Sequence, residues 1–352
     1  MMTTSRSTLD ESFPCLMVRR RTENGEAGDA HKDGESIFCA VETLTTDDLP
    51  EGEVLIDVQW SSLNYKDALA CQAHPGVVRK LPHVPGVDCA GTILASTVPE
   101  YQAGQQVLVT GYDLGSGRWG GWSARVRVPA EWVVALPVGL TSETAMLLGT
   151  AGFTAAQSVM ALQRNGVVPA SGKVIVTGAT GGVGSLAVAI LAKLGYHVVA
   201  VTGKPAQGKL LQQLGASQIL TREEVDDASH KPLLPARWAG AVDTVGGNAL
   251  ATLLRSMQHR GCVTACGLVA GDQLPLTVYP FILRGVTLAG IDSAKCPREA
   301  REHIWQQLAD AWKPDGLQQL AQKITLQEAP AKVRAMLAGE TYGRTLVQPV
   351  VR

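Results

Sequence analysis

The sequence predicts a two-domain α/β protein in which a β-rich first domain is followed by a doubly wound parallel sheet. Three observations carry this. Lys173 to Gly195, KVIVTGATGGVGSLAVAILAKLG, reads as a buried strand, a glycine-rich turn and an Ala/Leu-rich helix. A second strand-like run, Tyr196 to Val201, follows it directly. Before Leu140, in contrast, short strands and irregular turns succeed one another without a strand–helix period.

The 352 residues suffice for two separate cores. A balance of 31 Lys+Arg against 32 Asp+Glu argues against nucleic acid as a partner. Seven cysteines, at 15, 39, 71, 89, 262, 266 and 296, form no CxxC pair and no framework spacing, which fits free, buried thiols in a reducing compartment. The leading MMTTSRSTLDESFP has no apolar core of a signal peptide, and no apolar run reaches membrane-spanning length. A soluble cytoplasmic protein without membrane contact is expected.

Along the chain, Cys15 to Arg19 and Ile37 to Leu44 read as short strands. The polar RRTENGEAGDAHKDGES between them reads as an exposed hairpin excursion or a disordered loop, with Arg19, Arg20 and Arg21 on a solvated face. Pro50 to Gly52 is a turn, and Val54 to Trp60 alternates as a half-buried strand does. Val107 to Thr110 is a strand, and the stretch from Trp119 supplies two more between Pro and Gly punctuation. Thr141 to Leu162 is Ala-rich and apolar at helical spacing, with Thr141 or Ser142 as N-cap.

After the glycine-rich unit, Gln218–Leu220, Ala241–Val245 and Cys262–Cys266 continue one parallel sheet, with helices such as Asn248 to Met257 between them. Val286 to Ile291 closes that sheet. Arg298 to Trp312 and Pro330 to Ala338 are amphipathic helices, and Arg344 to Val347 is a final strand returning to the first domain. The expected boundaries are 1–147, 148–290 and 291–352.

The glycine-rich turn is suited to a pyrophosphate. Gly178, Gly181, Gly182 and Gly184 carry no Cβ, so backbone N–H groups can approach the phosphates at the positive end of the following helix. Gly184 also permits close packing of helix on strand. The strand Tyr196 to Val201 ends in Thr202, Gly203 and Lys204, where an NAD-specific site places an acid for the ribose 2′-OH. Lys204 and the missing carboxylate together favour NADPH, the alternative being a solvated loop lysine. Arg222 is a second candidate for the adenine or its phosphate.

WSSLNYKDALA, PGVDCAGT, WGGWSARVRVPAEW, GTAGFTAAQSVMAL, TGATGGVG, AVDTVGG, CGL, PFILRG and the terminal GRTLV, in that order, resemble the zinc-free YhdH/AcuI branch of the medium-chain dehydrogenase/reductases. The resemblance runs from about Ile37 onward, and the charged loop at Arg19 to Ser36 departs from the pattern. It implies a GroES-like β-rich domain, an inserted Rossmann domain, a C-terminal return, a homodimer, and NADPH-dependent reduction of acrylyl-CoA. It also implies a site. Asn64, Tyr65 and Asp67 would face the nicotinamide as catalytic residues. Tyr65, Thr180, Gly181, Gly182, Val183, Thr202, Gly203, Lys204, Arg222, Leu268, Ile282 and Arg344 would line the cofactor.

Several roles stay open at this point. Tyr65 either donates a proton or hydrogen bond or fills an interface pocket. Asp67 either orients Lys66 or Asn64 or relays a proton, and Asp243 either faces a ligand at the carboxyl edge or caps a helix. Arg79, Lys80 and Arg118 are candidates for the phosphates of CoA.

No metal is expected. Zinc members of the superfamily carry a GHE segment and a loop of four cysteines; here the first reads Gly86, Val87, Asp88 and the second is absent. Asp88 and Cys89 would point apart in a strand, and Cys262 and Cys266 read as core thiols. Conjugate reduction then suits the cofactor: hydride to the β-carbon of an unsaturated thioester or ketone, charge on the carbonyl oxygen, a proton to the α-carbon. A short-chain dehydrogenase is disfavoured, since more than a hundred residues precede the glycine motif and Tyr196, Tyr279 and Tyr342 lack a Lys at the fourth position. A quinone or enone reductase and a non-catalytic NADPH-binding protein are the remaining alternatives.

Overall fold

The computed structural model describes residues 12–21, 36–229 and 231–351. The leader before residue 12 and the charged segment 22–35 therefore lie outside the described residues. In chain order the first elements are β1 (Phe13–Arg21), β2 (Ser36–Leu44), β3 (Val54–Leu63), α1 (Tyr65–Cys71), β4 (Asp88–Ser96), β5 (Gln106–Thr110), β6 (Arg125–Val128) and β7 (Val134–Ala135). They are followed by α2 (Ser142–Arg164), β8 (Lys173–Val176), α3 (Gly182–Lys193), β9 (His197–Val201), α4 (Gly208–Gln213), β10 (Gln218–Leu220), β11 (Trp238–Asp243) and α5 (Gly247–Arg255). The last are β12 (Met257–Ala265), α6 (Tyr279–Arg284), β13 (Thr287–Gly290), α7 (Arg298–Ala309), β14 (Ala321–Thr325), α8 (Ala329–Leu337) and β15 (Arg344–Gln348).

Two compact units result, residues 1–150 with 320–352, and residues 151–319. In the first, a sheet of order β14-β15-β3-β4-β5-β7, with β6 also paired to β3, carries the GroES-like part. β3 is its spine because VLIDVQWSSL buries most of its length. Where β3 meets β4 the chains come so close that a Cβ on Gly91 would stand 1.9 Å from the Asp57 carbonyl oxygen. β1 and β2 form a hairpin in register from Phe13↔Leu44 to Arg21↔Ser36. Arg19 there is not on a solvated face as expected: its Nε and Nη2 each donate to the Glu42 carboxylate at 2.7 Å, and it is half-buried.

The second unit is a six-stranded parallel sheet of order β10-β9-β8-β11-β12-β13. The strand order reverses between β8 and β11, which is the switch point at which such sheets bind ligands. α3 buries every residue from Gly184 to Leu191. Its core includes Ile175, Val199, Ala241, Leu254 and Val263. α7 belongs to this unit, so residues 291–319 part from the return strand with which the sequence reading grouped them. The cause is packing: Trp305 stacks on Phe153 at 6.1 Å between centroids, and the Arg301 guanidinium sits 5.0 Å from the same ring.

Two further corrections concern local structure. Met257, expected at the end of a helix, begins β12, whose polar Gln258–Arg260 start obscured the strand. α2 is long and apolar enough to cross a membrane by length and composition, contrary to expectation, yet 78% of its apolar window is buried as core. It is also broken at Gly149, which has φ 53° and ψ −157°. Thr141 is its N-cap, the hydroxyl accepting the Thr144 N–H at 3.2 Å.

Candidate functional site

In the second unit the residues expected at a cofactor gather at the carboxyl ends of β8, β9 and β10. The chain turns after β8 through Gly178, at φ 56°, and Gly181 N–H returns to Gly178 O at 2.9 Å. α3 starts at Gly182 with Gly181 as an N-cap that has no capping side chain. The first N–H groups of that helix are left for an outside acceptor. A Cβ on Gly184 would stand 2.3 Å from Gly178 O, so only glycine lets α3 settle this close to the turn.

The neighbouring loop is bonded to the turn. The hydroxyls of Thr180 and Thr202 lie 3.1 Å apart, and Lys204 N–H donates to Thr202 Oγ1 at 3.0 Å. Arg222 closes in from beyond β10, its Cζ 2.7 Å from where a Cβ of residue 203 would be. Burial, then the charge of Arg222, holds the Lys204 amine below its usual range. Two cations thus stand side by side, an arrangement that a dianion relieves.

Asp243 is a structural residue at this edge. Its carboxylate accepts the Thr177 hydroxyl at 2.7 Å and Gly246 N–H at 2.8 Å, and burial raises its pKa. Asp243 thus ties the end of β11 to β8 and to the turn before α5, but it does not cap that helix, whose N-cap Gly246 has no side-chain cap. Further along the same edge, a pocket of about 530 Å³ lies between Ala265–Leu268 and Gly290–Asp292. Leu268 is 63% exposed there and Ile282, on α6, 68%. Ile282 is not among the residues lining that pocket.

In the first unit, α1 and its N-cap Asn64 hold the three expected catalytic residues, and only Tyr65 is exposed. Tyr65, the first helical residue, is 43% exposed. Asp67 is fully buried. Its Oδ2 accepts Asn64 N–H at 2.8 Å, and its Oδ1 accepts the N–H groups of Gly86 and Val87 at 3.0 and 2.8 Å. Burial, with the charge of Asp88 adding, pushes Asp67 up to about 7 against the pull of those donors.

Asn64 is occupied as well. Its amide donates to Asp88 Oδ2 at 2.8 Å and to Ser62 Oγ at 3.1 Å, and its Oδ1 accepts Arg344 Nη1 at 3.3 Å. Asp88 takes the Ser62 hydroxyl at 2.6 Å, Thr150 N–H at 2.9 Å and the Thr150 hydroxyl. Arg344, expected along the cofactor, is 2% exposed and donates to the carbonyls of Leu147, Met146 and Leu63. Asn64, Asp67 and Arg344 are thus brought together as the frame of α1, the first half-buried and the other two buried, leaving Tyr65 as the presented group. Sequence reading missed Ser62, Asp88 and Thr150 as members. The available signal was the pair of acids, Asp67 and Asp88; the part of Gly149, whose Cβ would stand 2.5 Å from Asp88 Oδ2, shows only in the folded chain.

Of the basic residues considered for CoA, Arg79 and Lys80 are exposed. Arg118 lies 5.9 Å from the Trp132 ring, which stacks on Tyr112 at 5.3 Å. The residues do not fit a catalytic zinc. Asp88 is spent on hydroxyl and N–H donors, and burial first, then the charge of Asp88, raises the Cys89 thiol far above its usual range. Burial pushes Cys262 up to about 11 and Cys266 up to about 12, as befits thiols covered by the core. Among the described residues no group of three or more His, Cys, Asp or Glu could hold an ion.

Residues 50–138 match the alcohol dehydrogenase GroES-like domain, and residues 182–310 the zinc-binding dehydrogenase family. The probable acrylyl-CoA reductase AcuI of Escherichia coli is 49% identical over 317 residues, 90% of this chain and 97% of the relative. The chain belongs to the AcuI/YhdH branch of the medium-chain dehydrogenase/reductases. The acrylyl-CoA reductase AcuI of Ruegeria pomeroyi is 46% identical over 335 residues, covering 95% of this chain and 98% of the other. The YhdH oxidoreductase of Salmonella enterica, solved in complex with NADP, superposes with a TM-score of 0.89 at 46% identity, over 96% of this chain and 100% of that one. The AcuI/YhdH fold is the GroES-like and Rossmann combination that the sequence predicted.

Proposed function

We propose that this protein uses NADPH to reduce the C=C bond of acrylyl-CoA to propanoyl-CoA. The observation that carries the reading is the Lys204–Arg222 pair beside a loop, Thr202 to Lys204, that holds no acid. It is supported by the 49% identity to a protein named acrylyl-CoA reductase. The same reading makes the enzyme a metal-independent cytoplasmic homodimer acting on a small-molecule acyl thioester.

When bound, NADPH supplies a hydride from the nicotinamide C4 to the β-carbon of the thioester. The chain's own residues do the rest. The turn Thr180 to Val183 gives N–H groups to the pyrophosphate, and Lys204 and Arg222 hold the 2′-phosphate. Leu268 and Ile282 supply apolar contact. Charge that develops on the thioester carbonyl oxygen collapses as the α-carbon takes a proton, and that proton is assigned to the phenol of Tyr65. Asn64, Asp67, Asp88 and Arg344 are positioning residues, which hold the head of α1 in one place.

The test is to mix the protein with NADPH and acryloyl-CoA and to follow the nicotinamide absorbance and the propanoyl-CoA formed. Decay of the band with matching product is expected. No decay at any protein concentration leaves a binding protein, and a clear preference for a benzoquinone over the thioester makes it a quinone reductase.

A further inference from the structure

The folded first unit brings together two cysteines that are 32 residues apart in sequence. Cys39, in β2, directs its Sγ to the carbonyl oxygen of Cys71, the last residue of α1, at 3.5 Å. Cys71 is 6% exposed within the core of this unit, while Cys39 packs against that core and is only partly covered.

Their environments differ from those of the other cysteines. A hydrogen bond from the Cys71 thiol and the charge of Arg334 hold Cys39 below the usual thiol range, against its burial. The same bond and burial raise Cys71. Cys15, Cys89, Cys262, Cys266 and Cys296 are all raised, burial being the largest cause in each. Of the pair Cys39 and Cys71, Cys39 is the one a peroxide can reach, being only partly covered where Cys71 is 6% exposed. A partly exposed thiol beside a second, covered cysteine is the arrangement of a peroxide-reactive cysteine and its resolving partner.

We propose that Cys39 and Cys71 are a redox modification site, at which a hydroperoxide oxidises Cys39 and Cys71 closes a disulfide. In the first step the Cys39 thiolate attacks one peroxide oxygen. The O–O bond breaks, hydroxide leaves and takes up a proton as water, and Cys39 becomes a sulfenic acid. In the second step the Cys71 sulfur attacks the Cys39 sulfur, the S–O bond breaks, and the hydroxyl leaves with the Cys71 proton as water. Two thiols lose two electrons and hydrogen peroxide becomes two waters. A small dithiol reverses the change by exchange.

The experiment uses the full chain, treated with hydrogen peroxide, alkylated without reduction and digested for mass spectrometry. A Cys39–Cys71 linked peptide is expected as the first disulfide to form, and dithiothreitol should restore both free thiols. In Cys71→Ser the sulfenic acid on Cys39 should persist and be captured by dimedone. In Cys39→Ser both the linked peptide and the dimedone label should be lost. Loss of other thiols before Cys39, dimedone labelling of Cys71 in Cys39→Ser, or a different linkage in the wild-type protein overturns the proposal. The wild-type measurement requires no variant to fold, and none of these readouts depends on turnover of acrylyl-CoA.

Discussion

Arg222 fills the space that a side chain at Gly203 would need, its Nε only 2.6 Å from the ideal Cβ position there. Glycine at 203 is therefore what lets the guanidinium come in beside Lys204. Replacing Arg222 with alanine removes a charge-assisted contact of about 1.5–3 kcal/mol. The KM for NADPH should rise by about tenfold or more, with little change for NADH. Gly203→Ala should act the same way by displacing Arg222, and Lys204→Glu should weaken NADPH far more than NADH. Equal losses for the two coenzymes would show that these residues do not face the 2′-phosphate.

Tyr65→Phe removes the phenol and keeps the ring. If the phenol delivers the proton, kcat for acryloyl-CoA should fall by about 10² with the fold intact by circular dichroism. An unchanged kcat takes the hydroxyl out of the chemistry.

Asp67 links stability to pH. Its folded pKa, about 7, lies above the ordinary unfolded value of about 3.9, so the native state binds the proton more tightly. Its contribution is complete below about pH 4 and is lost as pH rises through about 7. The urea midpoint of the wild type should therefore fall between pH 5 and pH 8, and that fall should flatten in Asp67→Asn. The variant should also lose about 1–3 kcal/mol at pH 5, because an amide cannot accept all the N–H groups that the carboxyl takes. Identical pH slopes for the two proteins would contradict this.

Gly149→Ala places a Cβ at a positive φ and 2.5 Å from the Asp88 carboxylate. The backbone strain alone is about 1–3 kcal/mol, and the collision adds to it. Urea unfolding should show a loss of at least about 2 kcal/mol. Unaltered stability would mean that Thr150 can turn away from Asp88 without consequence.

The parts of this molecule that were legible in its sequence are those governed by neighbours along the chain. A phosphate-binding turn must use glycines at fixed offsets, and Gly178 to Gly184 display that need openly. β8 and β9 are plain for the same reason, as short apolar runs buried on both faces. The frame of α1 was hidden because Ser62, Asn64, Asp88, Thr150 and Arg344 meet from four separate stretches, and no periodicity marks such a meeting. Asn64 and Asp67 were singled out, but for chemistry instead of support. The Cys39–Cys71 contact was concealed in the same way, and the polar start of β12 masked a strand that its later residues announce.

The placement of β15 bears on how the polypeptide acquires its shape. All six strands of the nucleotide-binding unit lie between residues 173 and 290, whereas β15, at 344–348, is wedged between β14 and β3. On the ribosome the inserted guest therefore has every strand in hand while its host still waits for a keystone. Clipping the final ten or so residues should leave the guest cooperative to unfolding and its host frayed, with the Asp88 carboxylate stripped of the Arg344 charge.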